Sequence, residues 1–411
     1  MDLIVYAIPV FFLLIGVELL IQYITKSPLY RFNDAITNIN CGITQQVTGV
    51  LFRTVTFFLY ILIYEKARLF TIPLTWYTWI LLFVGVDFFY YLFHRYSHEI
   101  AAFWGSHAVH HQSEEYNLSV ALRQSATQVF FSSWFYLPLA FLGFDPVSFL
   151  TVASLQTLYQ FWIHTRVIYK MPAWFEFIFN TPSHHRVHHG VDPQYIDKNH
   201  GGTLIIFDRI FGTFTEEKEE VHYGITKPLQ SWNPVWANVE YYKWLISTFL
   251  AARGWDKWRV LVNKPGWRPD YLGGPVEPKY IQAGFQKYDQ HAGPLMHIYV
   301  FVQFIIMLAG TSYFLFSIDA LNWGGRLVNA ALIIWLVLNI GGIFEKKSWV
   351  LVSEILRLVF SAALLLYMFP AAAYWIKILL LTGSGALFMI FLTFTYLESK
   401  GKWPTFVKSD S

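Results

Sequence analysis

The sequence predicts an all-α integral membrane protein: a bundle of about nine helical spans carrying a cytoplasmic, histidine-rich di-metal cap. Three observations predict it. Of the 411 residues, 55% are hydrophobic and only 14% charged, where a soluble chain carries roughly 25% charged residues. Apolar runs long enough to cross a bilayer recur on both sides of a polar middle stretch. Ten of the 14 histidines fall between His94 and His189.

The spans come first. A crossing needs about 20 mostly apolar residues, and five candidates precede the middle of the chain, at 3–24, 43–64, 75–93, 125–144 and 147–165. Four more follow, at 297–317, 325–343, 349–369 and 371–396. The first run has Asp2 and Glu18 as its only charges, with no basic start and no small-residue cleavage site, so it is expected to be a retained span rather than a signal peptide. Between the two sets, 166–291 is rich in turn signals such as Asp192-Pro193, Gly201-Gly202 and Gly273-Gly274-Pro275. It also carries many Trp and Tyr, which suit a membrane–water interface. The expected organisation is an N-terminal bundle (1–165) with two histidine boxes, an interfacial cap (166–296) with a third, and a C-terminal membrane unit (297–411). In the last, Glu354 and Arg357 lie three apart and can pair on one helix face.

Charge sets the orientation. Lys26, Arg31, Lys346, Lys347, Lys400, Lys402 and Lys408 lie in short segments on the histidine side, against Lys66, Arg68 and Arg326 opposite. The positive-inside rule places the histidine face in the cytoplasm. The expected membrane is the endoplasmic reticulum in a eukaryote and the cytoplasmic membrane in a bacterium. A formal net charge of +3, with no Lys/Arg stripe, gives no footprint for nucleic acid.

Cys41 is the only cysteine, which excludes an internal disulfide and a cysteine-built metal cluster. Any metal is therefore held by nitrogen and oxygen. The first box is His94 and His98, four apart and so on one helix face. The second is His107, His110 and His111; the third is His184, His185, His188 and His189; His164 adds an imidazole at the end of the fifth expected span. One catalytic zinc takes three protein ligands, so nine or ten histidines imply two ions. Imidazole suits iron, zinc, copper and nickel, and iron is the usual redox-active choice. A lone histidine is commonly a hydrogen-bonded structural residue, and His222, His291 and His297 are read that way. His184 is the least needed of the boxed set.

Carboxylates such as Asp87, Glu99, Glu114, Asp192 and Asp197 are candidates to orient the imidazoles. Asp87, inside the third span, is also a candidate catalytic group, because a carboxylate in a membrane is costly; a bond to a nearby tyrosine or backbone donor would equally account for it. Tyr116-Asn117-Leu118-Ser119 and Arg123-Gln124 either line an entrance, steady the second box, or serve as caps and turns. Asp208-Arg209 and Phe211-Gly212-Thr213 look like a turn over the site.

The boxes resemble those of the fatty acid hydroxylase/sterol desaturase superfamily: His-x3-His at His94/His98, then His-x2-His-His at His107/His110/His111 and at His185/His188/His189. Longer blocks resemble a branch of it that acts on glyceryl ethers: Gly85-Val86-Asp87-Phe88, Ala121-Leu122-Arg123-Gln124-Ser125, Tyr159 to Thr165, Asn180 to Gly190 and Ile196-Asp197-Lys198-Asn199. The resemblance covers about residues 30–275 well. It implies a di-iron enzyme that uses O2 to hydroxylate the ether-bearing carbon of an alkylglycerol in the bilayer, with tetrahydrobiopterin as reductant. It also adds Glu99 and His184 to the site. No cytochrome or flavin module is visible, so the electrons come from a small molecule or a partner such as a reductase or a pterin-recycling enzyme. A sterol or fatty acid oxidase of the same superfamily is the nearest alternative. A histidine-rich metal transporter, which would spread its ligands towards both faces, is the alternative of another class.

Overall fold

The structure, a computed structural model, describes residues 3–277, 286–290, 292–368 and 374–400. His291, Lys402 and Lys408 lie outside them. Among the described residues every regular element is helical, and no strand forms beyond two isolated bridges, Phe179 with Leu204 and Gly190 with Tyr223.

The chain divides into two compact units, Met1–Gln230 with Val235–Tyr288, and Ser231–Pro234 with Asp289–Ser411. The first begins with α1 (Leu3–Thr25), α2 (Phe32–Ala67) and α3 (Trp76–Glu99). It continues through α4 (Ala101–His111), α5 (Gln128–Phe135), α6 (Leu137–Leu142) and α7 (Pro146–Trp162). Short helices follow, α8 (Ala173–Ile178), α9 (Pro182–His188) and α10 (Ile206–Phe211), and then α11 (Pro234–Ala251) and α12 (Asp256–Val262).

Local chemistry fixes several of these starts. Thr75 caps α3 in a reciprocal arrangement with Thr78. Asp145 accepts from the Ser148 amide at the head of α7, with Pro146 in the first turn, where its missing N–H is harmless. Pro182 opens α9 in the same way. Ile100, extended at φ −116° and ψ 121°, separates α3 from α4, so the second box starts a new helix axis. Tyr60, Leu82, Val86, Leu139, Ala140, Phe149 and Val152, from α2, α3, α6 and α7, bury one another in an apolar core beneath the boxes.

In the second unit α13 (Pro294–Phe316), α14 (Trp323–Phe344), α15 (Val350–Met368) and α16 (Tyr374–Ser399) pack in chain order, with α16 returning to α13. Arg357 grips both oxygens of Glu354 at 2.6 and 2.9 Å, the pairing expected at a spacing of three. Tyr299 and Asn339 donate to the same carboxylate, and Gln303 accepts from Arg357, so three helices share one buried polar cluster.

Nine equivalent spans are not found among the described residues. By length and composition, four helices among the described residues can cross a membrane: 6–25, 76–99, 294–316 and 323–344. A bent pair, 32–52 with 57–67, makes a fifth. The run expected at 125–144 is broken at Tyr136 into α5 and α6. Pro138 sits in the first turn of α6 and has no N–H to continue the ladder from α5. The run expected at 147–165 stops after 17 helical residues. Helices do occupy the runs at 349–369 and 371–396, with 369–373 outside the described residues.

Candidate metal centre

Three helices and one turn bring the histidines together. α3 presents His94 and His98 from its last turns, α4 presents His107, His110 and His111, and α9 presents His185 and His188, with His189 as its C-cap. His164 sits just beyond the end of α7. All nine are buried.

They sort into two groups whose ligating nitrogens lie within 4.8 Å of one another: His94, His98, His107, His111 and His188 in the first, and His110, His164, His185 and His189 in the second. Helical spacing explains the sorting. Residues four apart share a face, so His94 with His98, and His107 with His111, enter the first group, while His185 with His189 enters the second. The adjacent residues His110 and His188 point about a quarter-turn away and serve the other group. Box two therefore gives two imidazoles to the first group and one to the second, and box three does the reverse.

Four of the outer nitrogens are held by the backbone. Nδ1 of His94 donates to the His200 carbonyl at 2.7 Å, that of His110 to Arg123 at 3.0 Å, that of His164 to Gln160 at 2.8 Å, and that of His188 to Lys198 at 2.9 Å. A carbonyl can only accept, so each of these neutral rings carries its proton on Nδ1 and turns a bare lone pair inward on Nε2. Gln124 Nε2, at 3.5 Å from His110 Nδ1, is the weaker neighbour of that nitrogen. The consequence is clearest where His110 Nε2 and His164 Nε2 face each other at 3.2 Å, two acceptors with no proton between them. Within a buried site that contact is repulsive unless a cation lies beside both.

Protonation does not supply that cation. Burial holds the His110 imidazole down to about 4. Burial, with neighbouring imidazoles adding to it, keeps His107, His111, His185, His188 and His189 well below their ordinary value. Neutral imidazole is the form that binds metal. The spacing fits too. Nε2 of His107 lies 2.9 Å from that of His94 and 3.1 Å from that of His111, and His185 and His164 approach to 3.0 Å. Two nitrogens about 2.1 Å from one ion and at right angles stand about 3.0 Å apart. The donor set is all nitrogen, since the one cysteine, Cys41, belongs to neither group.

The orienting groups differ from the carboxylates expected. Asp192 pairs with His222 at 2.8 Å, Glu114 with Arg31 and the Tyr288 amide, and Glu99 with Arg95 at 2.9 Å. Asp197 stands 3.8 Å from His98 Nδ1. Backbone carbonyls orient four of the rings instead, two of them, from Lys198 and His200, offered by one loop without the cost of burying more charge. That loop is itself clamped. Asp87 accepts from the Thr203 and Leu204 amides, both at 2.8 Å. Asp208 accepts from the His200 and Gly201 amides at 2.7 Å and from Thr213 at 2.6 Å, and Asn180 donates to the Gly201 carbonyl. Asp87 and Glu99 thus lie outside both groups. Arg123, besides its carbonyl, donates to Val109, Asn38 and Gln112 and ties α4 to α2.

His184 also lies outside both groups, with its ring against Phe214 and its imidazole held down to about 4 by burial. His222 is hydrogen-bonded to Asp192 and belongs to neither group, and His297 in the second unit is hydrogen-bonded to the Gly293 carbonyl. One residue escaped the sequence reading. His200 is fully buried, and its ring centroid lies 5.1 Å from that of His98, 5.6 Å from His188 and 5.8 Å from His94. It stands alone, 11 residues past His189, in a glycine-containing loop with no chelating spacing to betray it.

A family profile described as fatty acid hydroxylase matches residues 79–213, the segment that carries every histidine of both groups. The chain is similar over most of its length to curated alkylglycerol monooxygenases. It is 38% identical to that of Xenopus tropicalis over 84% of this chain and 78% of the relative. It is 39% identical to that of Homo sapiens over 87% and 81%, and 39% identical to that of Danio rerio over 86% and 80%. No solved structure matches it.

Proposed function

This chain belongs to the alkylglycerol monooxygenase family, and from that premise we propose that its two histidine groups hold a pair of irons that hydroxylate the ether-bearing carbon of a membrane alkylglycerol. The observation that carries the metal half of the reading is the opposed pair of unprotonated nitrogens on His110 and His164. The relatives carry the substrate half.

The overall reaction takes one O2, two electrons and two protons. One oxygen atom enters the carbon beside the ether oxygen and the other leaves as water. The hemiacetal so formed separates into a fatty aldehyde and a glycerol derivative. The irons, when bound, supply the oxygen activation that side chains cannot. His94, His98, His107, His111 and His188 would hold one, and His110, His164, His185 and His189 the other. The chain buries these rings, fixes the tautomers of His94, His110, His164 and His188 with backbone carbonyls, and excludes water around them. Asp87 and Asp208 hold the loop that supplies two of those carbonyls.

Tetrahydrobiopterin is the reductant that the family resemblance suggests, with a pterin-recycling enzyme or a reductase as the partner that renews it. The excess of basic residues in the short loops on the histidine side supports a centre facing the cytoplasm. That corresponds to the endoplasmic reticulum in a eukaryote or the cytoplasmic membrane in a bacterium.

The test is an assay of purified, iron-loaded protein with an alkylglycerol, O2 and tetrahydrobiopterin, reading fatty aldehyde, beside a His185→Ala control. Aldehyde from the parent and none from the control is the expected result. Two irons per chain without aldehyde would reject the ether substrate or the pterin reductant and leave the metal centre standing, and absence of bound iron would reject the metal centre.

A further inference from the structure

We propose that Glu18, on α1, is a positioning residue of the metal centre: it fixes the stretch of chain that carries His164 and so aims that imidazole at the second group. The inference rests on the metal reading above. Eight of the nine grouped imidazoles come from the three boxes, and His164 stands apart from them. The helix α7 ends at Trp162, two residues before it. What holds the residues around His164 therefore decides whether its Nε2 meets those of His110 and His185, now at 3.2 and 3.0 Å.

Glu18 is 2% exposed and lies in a helix long and apolar enough to cross a membrane. A carboxylate there is costly, and one that persists has a task. Its Oε1 accepts from the Thr165 hydroxyl, and its Oε2 accepts from the Tyr30 hydroxyl and, at 2.9 Å, from the Leu118 amide. Thr165 directly follows His164. Leu118 lies in the loop of Tyr116, whose ring stacks on that of His164 with centroids 5.8 Å apart and planes 24° apart. The Tyr116 hydroxyl donates to the Ile163 carbonyl at 3.0 Å. One carboxylate thus ties down both the residue after His164 and the loop whose tyrosine covers the ring.

The helix that carries Glu18 is itself seated on the end of α7. Phe11, Ile15, Glu18 and Gln22 recur at spacings of four, three and four, so they share one face of α1. Phe11 stacks on Phe161 at 4.2 Å, and Ile15 joins both in one apolar cluster with Leu118. Gln22 accepts from the Leu29 and Tyr30 amides at 2.9 and 2.7 Å. Arg186 donates to the Thr165 carbonyl at 3.1 Å and Arg166 to the Tyr116 carbonyl at 3.0 Å, which ties the same two segments to each other and to α9. Glu18 adds the tie to α1, a helix outside the segment 79–213 that the family profile matches.

The experiment compares the iron-loaded parent with Glu18→Leu and Thr165→Val, all as the full-length protein, and uses His164→Ala to mark the spectral component of the second group. Leucine removes all three bonds of the carboxylate. Valine removes only the Thr165 hydroxyl and leaves Glu18 its bonds to Tyr30 and Leu118. Iron per chain, the rate of iron release to a chelator and the Mössbauer spectrum are read on each, with hydrogen exchange across 163–167 in the metal-free protein and thermal unfolding as the check on folding. Both variants are expected to fold, to release one of the two irons about tenfold faster, and to shift the component that His164→Ala shifts while the other stays. Exchange across 163–167 is expected to quicken in both. Parent-like release and spectra in folded Thr165→Val, or equal acceleration of both irons, would overturn the inference and leave the metal centre standing. If Glu18→Leu does not fold, Thr165→Val decides alone. A parent that binds no iron would overturn both.

Discussion

Asp87 offers both carboxylate oxygens to main-chain amides, one to Thr203 and one to Leu204. The loop it holds delivers the His200 carbonyl to His94 and the Lys198 carbonyl to His188. Asp87→Asn replaces one acceptor with a donor facing an N–H. The expected outcome is a loss of about 1–3 kcal/mol in stability and a smaller share of chains carrying two irons, with aldehyde turnover per iron pair retained. Thermal unfolding, iron content and turnover together check this. Full iron, unchanged stability and lost turnover would instead make Asp87 a participant in the chemistry. At this scale the sequence displayed eight of the nine clustered imidazoles plainly, since chelating spacings of three and four repeat in it, and His164 only by its place at the end of an apolar run. It did not display His200 or the carbonyls, because a carbonyl has no residue identity and a lone histidine has no spacing.

Among the elements, α2 determines how the second box is supported. Gly42 lies so close to the short helical turn at 120–122 that an added Cβ would stand 2.3 Å from the Leu122 carbonyl oxygen. The next residue, Arg123, gives His110 its carbonyl and braces Asn38 on α2. Gly42→Ala must push that turn outward. It is expected to destabilise the protein by about 1–3 kcal/mol and to speed iron loss, although the substituted residue touches no ligand. A chelator challenge reads the effect, and unchanged iron retention would break the link between α2 and the box. Periodicity made the helices that carry the boxes legible. It did not reveal the break in the run at 125–144, since an apolar stretch reads the same whether Pro138 sits within one helix or opens a second.

Across the whole molecule, the two units differ in kind. The first concentrates the histidines; the second buries Glu354 and Arg357 with Tyr299, Gln303 and Asn339 in a network whose charges are mutually satisfied. Removing one partner of such a pair leaves the other charge buried alone, at a cost of about 3–5 kcal/mol. Glu354→Gln is therefore expected to loosen α13, α14 and α15, seen as faster protease cleavage within 294–368; cleavage at the parental rate would show that the network is dispensable. Hydropathy alone suggested nine crossings because it scores apolar character. Length and composition together give four or five helices that can cross among the described residues.

Consecutive histidines that enter different groups make the helix a ruler. An α-helix turns about 100° and advances about 1.5 Å per residue, so the steps from His110 to His111 and from His188 to His189 set the gap between the two groups as a property of the covalent chain. Surrounding loops can lengthen or drift without altering that gap. A single residue inserted between His107 and His110 would instead turn the following imidazoles by about 100°, swing His110 towards the first group and His111 past it, and disrupt both groups at once. In its lineage, the centre should therefore tolerate substitution around the boxes far better than any change in their length.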